Sequence, residues 1–371
     1  MKNTFGSAVS LTIFGESHGP AVGAVLDGLA AGLPVDADFI AACMDRRRAR
    51  GDGLSTSRTE PDRVEFLSGV VDGHTTGTPL TLVVQNTNTR SGDYAKTAAL
   101  LRPGHADYTA FAKYEGWQDA RGGGHFSGRL TAAAVAAGAL CEHVLQTLGV
   151  RVYTHIAECA GIADAPLSSA AGLVLPEPEP GHFALLDPAR EAPMQAAIRA
   201  AGADGDSVGG VLETIVTGVP AGVGEPWFDS VESELAHLMF SMPAVKGIEF
   251  GAGFALARMR GSEANDAFRM RGGRIVTVTN RNGGVNGGIA NGMPIVLRTA
   301  VKPTPSIYKR QDTVDYPARA DASLQIAGRH DPCIVPRAAV VQNSLVAFGI
   351  LDLLTVRYGT LAQKHGLPQP E

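Results

Sequence analysis

Three consecutive glycines, Gly122–Gly124 in RGGGHFSGRLT, run directly into the apolar stretch AAAVAAGALC. Glycine loses more backbone entropy on folding than any other residue, so three together mark a turn that needs backbone without side chains. Four other glycine-rich polar turns stand out: GESHG (15–19), RPGHAD (102–107), NGGVNGGIANG (282–292) and GRHDPC (328–333). Four of the five turns carry a histidine, namely His18, His105, His125 and His330, out of ten in the chain. A single histidine in a loop is an ordinary polar residue. Four placed this way point to a site.

Residues 129–149 read as a helix, which puts the three glycines just ahead of its start. Successive N–H groups of such a turn can face a phosphate, and the dipole of the following helix adds to the attraction. Ser127 and Arg129 would then fall in the first helical turn, with hydroxyl and guanidinium reaching the same anion. Glycine-rich turns ahead of helices are also common without a ligand. KPTPSI at 302–307 poses the same choice. Lys302, Thr304 and Ser306 suit a phosphate, whereas Pro303 and Pro305 equally suit an edge loop.

Arginine is the second marked feature. Only seven of the 32 basic residues are lysine, and DRRRARGDG at 45–53 packs four arginines into five positions. The planar guanidinium fork binds carboxylate and phosphate bidentately. Because the formal net charge is −5, the cluster is a local electropositive site rather than a general property. Aromatic content is 6% and none is interleaved with the run, which argues against a nucleic-acid partner.

The opening TFGSAVSLTIFGESHGPAVGAVLDGL reads as strand, glycine turn, strand. Residues 36–50 read as a helix capped by Asp36, 79–86 as a strand, and 336–358 as a second long helix. GGVLETIVTGVPAGVG gives a further strand and turn. Between 160 and 200 the chain turns rich in Pro and Ala, which predicts surface connections. Strands and helices mix without regular β–α alternation, so an α+β fold is expected rather than a doubly wound sheet. The polar turns lie on both sides of the 160–200 connection, which predicts one compact domain over residues 1–371.

With 371 residues, 44% of them hydrophobic, the chain can bury a sizeable core. The stretch 338–356 is long enough to cross a bilayer, but Gln342, Asn343 and Asp352 interrupt it. No N-terminal signal segment is evident, and Cys43, Cys141, Cys159 and Cys333 are dispersed without a C-x-x-C pair. A cytoplasmic protein with no membrane partner is expected. Neither a Rossmann nor a P-loop fingerprint is present. His105-x-Asp107 and His330-Asp331 look like metal-ligand pairs, yet none of the stronger metal spacings occurs, so no metal is expected.

TFGESHG, DRRR, EPDRVEFLSGV, GTPLTLVVQN, RPGHADYTAFAKY, DSVGGV, PAGVGEPWFD, AVKGIEFGAGF, NGGVNGGIANG, KPTPSI and GRHDPCIVPRA together resemble the chorismate synthase family, in order from about residue 4 to 355. The resemblance implies the family's β-α-β sandwich, assembled as a homotetramer. It implies conversion of 5-enolpyruvylshikimate 3-phosphate to chorismate and phosphate, by a 1,4-anti elimination that requires reduced FMN without net redox change. By motif, His18 would protonate the departing phosphate or the flavin. His105 would hold the flavin's N1–O2 region. Asp331 would act near flavin N5 in proton transfer, with Ser17 and Ser127 relaying. The positions matching the family's FMN contacts are His125, Phe126, Ser127, Pro243, Ala244, Gly287, Lys302, Pro303, Thr304, Pro305, Ser306 and Arg329. A substrate with two carboxylates and a phosphate needs several fixed cations, which Arg46, Arg47, Arg48, Arg102, Arg129 and Arg337 would supply.

Two departures stand out. Most family members read R-S-S-A-R-E-T where this chain has HFSGRLT, so His125 replaces an arginine and Phe126 a serine. Of the two basic positions that relatives use for pyridine nucleotide, Arg47 matches the first while the second is Gly53. A separate flavin reductase is therefore expected to supply reduced FMN, with NADPH acting only through it. Two other classes remain distinct in their tests. A metal-dependent phosphohydrolase using His105, Asp107, His330 and Asp331 would be inactivated by EDTA. An anion- or RNA-binding protein using Arg46–Arg50 would show steep salt dependence and no turnover.

Overall fold

The computed structural model describes residues 2–56, 60–88, 99–167, 173, 175–176, 183–326 and 330–367. β1 (Thr4–Phe5), β2 (Ser10–Gly15), β3 (Ala21–Asp27), β4 (Val64–Ser68) and β5 (Leu80–Gln85) make one antiparallel sheet, ordered β1-β2-β3-β5-β4. β6 (Arg151–Cys159), β7 (Ile162–Ala163), β8 (Gly210–Thr217), β9 (Val245–Phe250) and β10 (Ile295–Val301) make a second, ordered β9-β10-β8-β6-β7. The main helices are α1 (Ala37–Arg47), α2 (Asp107–Tyr114), α3 (Thr131–Thr147), α4 (Glu191–Ala203), α5 (Val231–Ser241) and α6 (Val335–Tyr358).

Two of these helices fill the space between the sheets. α3 lies on β3 and β5 of the first sheet, α6 lies on β6 and β8 of the second, and the two helices pack on each other. The product is a sheet–helix–helix–sheet sandwich, as the α+β expectation requires. A helix apolar on all sides has no solvent face, which is why AAAVAAGALC is buried in the middle. A Cβ on Gly138 would stand 2.3 Å from the Ser344 carbonyl oxygen, so α3 and α6 approach backbone to backbone there. Small residues are what permit that approach.

The polar interruptions of α6 are explained by the same layer. Asn343 donates to Glu142 of α3 at 2.8 Å, and Gln342 donates to Thr214 of β8 at 2.8 Å. Asp352 accepts from the amides of Ser7, Ala8 and Val9, each at 2.8 Å, and so anchors the chain entering β2. α6 is long and apolar enough to cross a membrane by composition, and nearly all of it is buried in this core.

Asp36 caps α1 as expected, its carboxylate accepting from Phe39 N–H at 2.8 Å. The 160–200 stretch is more than a surface connection. It ends in α4, whose Met194 and Ile198 are fully buried, and Ala184 accepts a hydrogen bond from Ile156 of β6. The turn after β2, the turns ahead of α2, α3 and β9, the segment after β10 and the residues just ahead of α6 come together at one side of the sandwich.

Candidate active site

These turns enclose a cavity of about 880 Å³. Among the described residues, eight Lys and Arg side chains line it, against the three carboxylates Glu60, Asp62 and Asp331. In a chain of net charge −5, this is a strongly electropositive pocket suited to a ligand with several anionic groups.

The glycine triplet does something other than form a nest at a helix start. All three glycines have positive φ, and α3 begins only at Thr131, after a short 3-10 turn. A Cβ on Gly122 would lie 2.5 Å from the His18 ring, and one on Gly123 would lie 3.1 Å from His105. A Cβ on Gly124 would collide with the Asp119 carbonyl at 1.9 Å. The bare backbone lets one loop close on two histidines at once. Ser17 N–H donates to the Gly124 carbonyl at 3.0 Å, which ties the GESHG turn to the same loop.

His105 lines the cavity, with Nδ1 3.0 Å from the Asp107 carboxylate. Arg102 holds the same carboxylate through Nε at 2.8 Å and Nη2 at 2.6 Å. Burial alone would raise the Asp107 pKa, but hydrogen bonds from Arg102 and His105 hold it well below the usual carboxylate range. Asp107 and Arg102 Nη2, the latter 3.1 Å away, both meet Nδ1, so together they hold the ring in place at the cavity wall. His125 is fixed similarly, donating from Nδ1 to the Gly15 carbonyl at 2.8 Å, with Phe126 edge-on beside it. Ser127 accepts from Arg129 N–H at 3.2 Å and also lines the pocket.

The arginines divide into two groups. Arg47 and Arg129 are buried and share Asp62: Arg47 donates to it at 2.9 Å, Arg129 forms a second short ion pair with it, and Glu60 lies 3.3 Å from Arg129. Arg47 also donates to Thr131 Oγ1 and the Gly128 carbonyl, and Arg129 to Asn86 Oδ1 and the Gln85 carbonyl. Burial and neighbouring Arg337 pull the Arg47 guanidinium down to about 9, with Asp62 opposing. Asp62 itself adopts a left-handed backbone (φ 48°), a strain that buried ion pairs of this kind can hold in place. These two arginines clamp the C-terminal end of α1 to the start of α3. Their heads are committed to protein groups, which corrects the expectation that Arg129 reaches an anion from a helical turn.

Arg48, Arg102 and Arg337 present the second group of cations to the pocket. Arg337 holds both oxygens of Asp331 at 2.9 and 3.0 Å, and Thr56 N–H donates to Asp331 at 2.9 Å. Arg46 lies off the cavity, close enough to Glu142 and Cys43 to affect their charge. Helical spacing turns it away from Arg47 and Arg48.

Pro243, Ala244, Lys302, Thr304, Pro305 and Ser306 all line the pocket. Lys302 N–H donates to the carbonyl of Ala244, which has φ 75°, and Lys302 Nζ donates to the Gly104 carbonyl at 2.6 Å. Pro303 is exposed and faces away, and Gly287 sits at an exposed hairpin tip outside the cavity wall. His18 stands behind Gly122 rather than on the wall itself. Arg329 lies outside the described residues. Tyr108 is more than half exposed and does not close the pocket. Among the described residues no group of His, Cys, Asp and Glu could hold a metal ion, so the His105, Asp107, His330 and Asp331 set does not assemble into one.

Sequence reasoning missed Glu60 and Asp62, and gave His330 a role only in the metal-ligand alternative. The acidic pair in EPDR lies close to DRRR in sequence, as do Asp45 and Asp52, but nothing local says which of these carboxylates the buried arginines meet.

The profile of the family described as chorismate synthase matches residues 9–355. A chorismate synthase of Korarchaeum cryptofilum is 47% identical over 355 residues, covering 94% of this chain and 96% of that protein. One of Archaeoglobus fulgidus is 47% identical over 355 residues, covering 96% and 98%. One of Dehalococcoides mccartyi is 45% identical over 354 residues, covering 95% and 96%. A solved crystal structure of chorismate synthase, 27% identical, superposes with a TM-score of 0.73 over 96% of this chain and 94% of that one. The chain belongs to the chorismate synthase family.

Proposed function

We propose that this chain is a carbon–oxygen lyase that eliminates phosphate from 5-enolpyruvylshikimate 3-phosphate, with reduced FMN, to give chorismate in the shikimate pathway. The observation that carries this reading is the cavity: eight basic side chains around a volume of about 880 Å³, with two histidines held on bare glycines. The residues present also fit a flavin phosphate. Thr304 Oγ1 is buried without a hydrogen-bond partner among the described residues, in the same turn that presents Lys302 and Ser306 to the pocket. A buried hydroxyl left unpaired is costly, and a phosphate oxygen would satisfy it.

When bound, reduced FMN supplies reversible donation of electron density, which lets phosphate leave without net redox change. This chain's residues do the rest. Arg48, Arg102 and Arg337 bind and orient the anionic groups of the substrate. His105, fixed by Asp107, offers Nε2 to the cavity for a proton, and His18 stands across the same glycine loop as the second acid–base group. Asp331, held by Arg337 and Thr56, carries the third proton-accepting site. Ser17 and Ser127 provide hydroxyls between them.

Arg47 is engaged with Asp62, and Gly53 offers no charge to a pyridine nucleotide. Both favour a separate reductase as the source of reduced FMN, with NADPH used only there. A homotetramer working in the cytoplasm completes the reading.

The test is an anaerobic phosphate-release assay on this substrate, with and without reduced FMN. Turnover is expected only with reduced flavin, which is not consumed stoichiometrically, and EDTA leaves the rate unchanged. Many turnovers with oxidised FMN and no reductant would overturn the reading.

A further inference from the structure

His330 has a buried Nε2 with no hydrogen-bond partner among the described residues. Its ring is held against Tyr308, with centroids 5.9 Å apart. The next residue, Asp331, is fully engaged by Arg337 and Thr56, so it does not take up the free nitrogen. His330 lines the main cavity, and it also lines a smaller one of about 300 Å³ behind it, so it forms part of the wall between the two. Its pKa is pushed down by burial and by Arg102 and His105, with Asp331 opposing, which keeps the imidazole neutral among cations.

We propose that His330 is a ligand-contacting residue whose Nε2–H donates a hydrogen bond to an oxyanion, carboxylate or phosphoryl, of the molecule in the main cavity. Three features support it. A buried polar atom without a partner is rare in folded proteins and clusters where a ligand completes it. In a neutral imidazole either nitrogen can carry the proton, and an oxyanion at Nε2 selects the Nε2–H form. The cations nearby repel a second positive charge but attract the same oxyanion, so a neutral donor adds directionality where charge is already supplied. The proposal rests on the functional reading above only for the choice of ligands.

The experiment compares the wild type with His330→Phe, which keeps ring shape without a donor, and His330→Gln, which restores an N–H near the Nε2 position. Binding of 5-enolpyruvylshikimate 3-phosphate, of FMN and of inorganic phosphate is measured separately by calorimetry, with thermal melting as the folding control. His330→Phe is expected to weaken one of the first two ligands by about 10- to 100-fold, as for a lost hydrogen bond to a charged group. His330→Gln should recover most of that loss, and the ligand affected identifies which oxyanion is held. Unchanged binding of all three probes in His330→Phe would overturn the proposal. Equal losses in both variants with a lowered melting temperature would also overturn it, because His330 would then be structural. If the wild type binds neither organic ligand, the functional reading fails on its own. Phosphate then decides: binding lost in His330→Phe upholds the contact, and no binding to the wild type or no difference defeats it.

Discussion

His105 and Asp107 stand two residues apart in sequence and 3.0 Å apart in space, Nδ1 against Oδ1, with Gly123 on the other side of the ring. On the function proposed above, the pair acts as an acid–base group and its orienter. His105→Ala and His18→Ala are each expected to cut kcat by about 10²–10⁴. KM should change much less, because the arginines supply most of the binding. Near-normal kcat with only a raised KM in both variants would make the histidines structural. Asp107→Asn removes the carboxylate charge and turns one of its two acceptor oxygens into a donor, and is expected to lower kcat in the same direction. The folded pKa of Asp107 is depressed, so its stabilising effect is complete above the unfolded value of about 4 and is lost as pH falls through the folded one.

Arg47 and Arg129 predict a different phenotype from their neighbours. Removing either leaves the buried Asp62 with half of its compensation, which costs about 3–5 kcal/mol in buried pairs. Arg47→Met and Arg129→Met should therefore lower the urea midpoint sharply. Arg48 is partly exposed, and Arg48→Ala should leave stability within about 0.5 kcal/mol while raising the substrate KM. A raised KM with unchanged stability in the Arg47 or Arg129 variant would contradict the clamp.

The difference between these arginines was not legible in DRRR. Four guanidiniums in five positions announce an anion site, and five of the six arginines assigned to substrate line the cavity. Which of them are spent on the fold depends on Asp62, reached through the turn between α1 and β4. The same limit applies to the glycines. Their need for bare backbone was plain from the triplet, but the reason, His18 against Gly122 and His105 against Gly123, joins segments about 100 and 20 residues apart. Helices were read nearly to their ends because period and caps are local: 129–149 became 131–147 and 336–358 became 335–358. α4 was missed because Pro and Ala dominate its surroundings while only Met194 and Ile198 anchor it.

Glu142 gives a pH test of the helical layer. It is buried on α3, accepts from Asn343, and burial raises its pKa to about 7, with Arg46 and Asn343 opposing. A carboxyl whose folded pKa lies above its unfolded value stabilises relatively at low pH, and that advantage is lost as pH rises through the folded value. Glu142→Gln keeps the shape and removes the titration. Its stability should match the wild type near pH 4 and exceed it above pH 7, by on the order of 3 kcal/mol for a shift of this size. Chemical denaturation at pH 4.5, 6 and 8 would show the gap opening. A gap that is constant with pH would mean Glu142 does not titrate in this range.

His125 occupies the position where most family members carry arginine, and it donates to the Gly15 carbonyl rather than toward the cavity. A lost charge-assisted contact to a ligand is worth about 1.5–3 kcal/mol, so FMN binding should be weaker here by one to two powers of ten than an arginine would give. Phe126 adds an apolar wall beside His125. His125→Arg should therefore bind FMN as tightly as the wild type or more tightly. An arginine can also keep a donor on the Gly15 carbonyl, so the turn after β2 need not move. FMN fluorescence titrations at pH 6 and pH 8, with substrate present, measure the difference. Clearly weaker binding at both values would mean that the loop is built around the Nδ1–H bond to Gly15, and that the family arginine no longer fits.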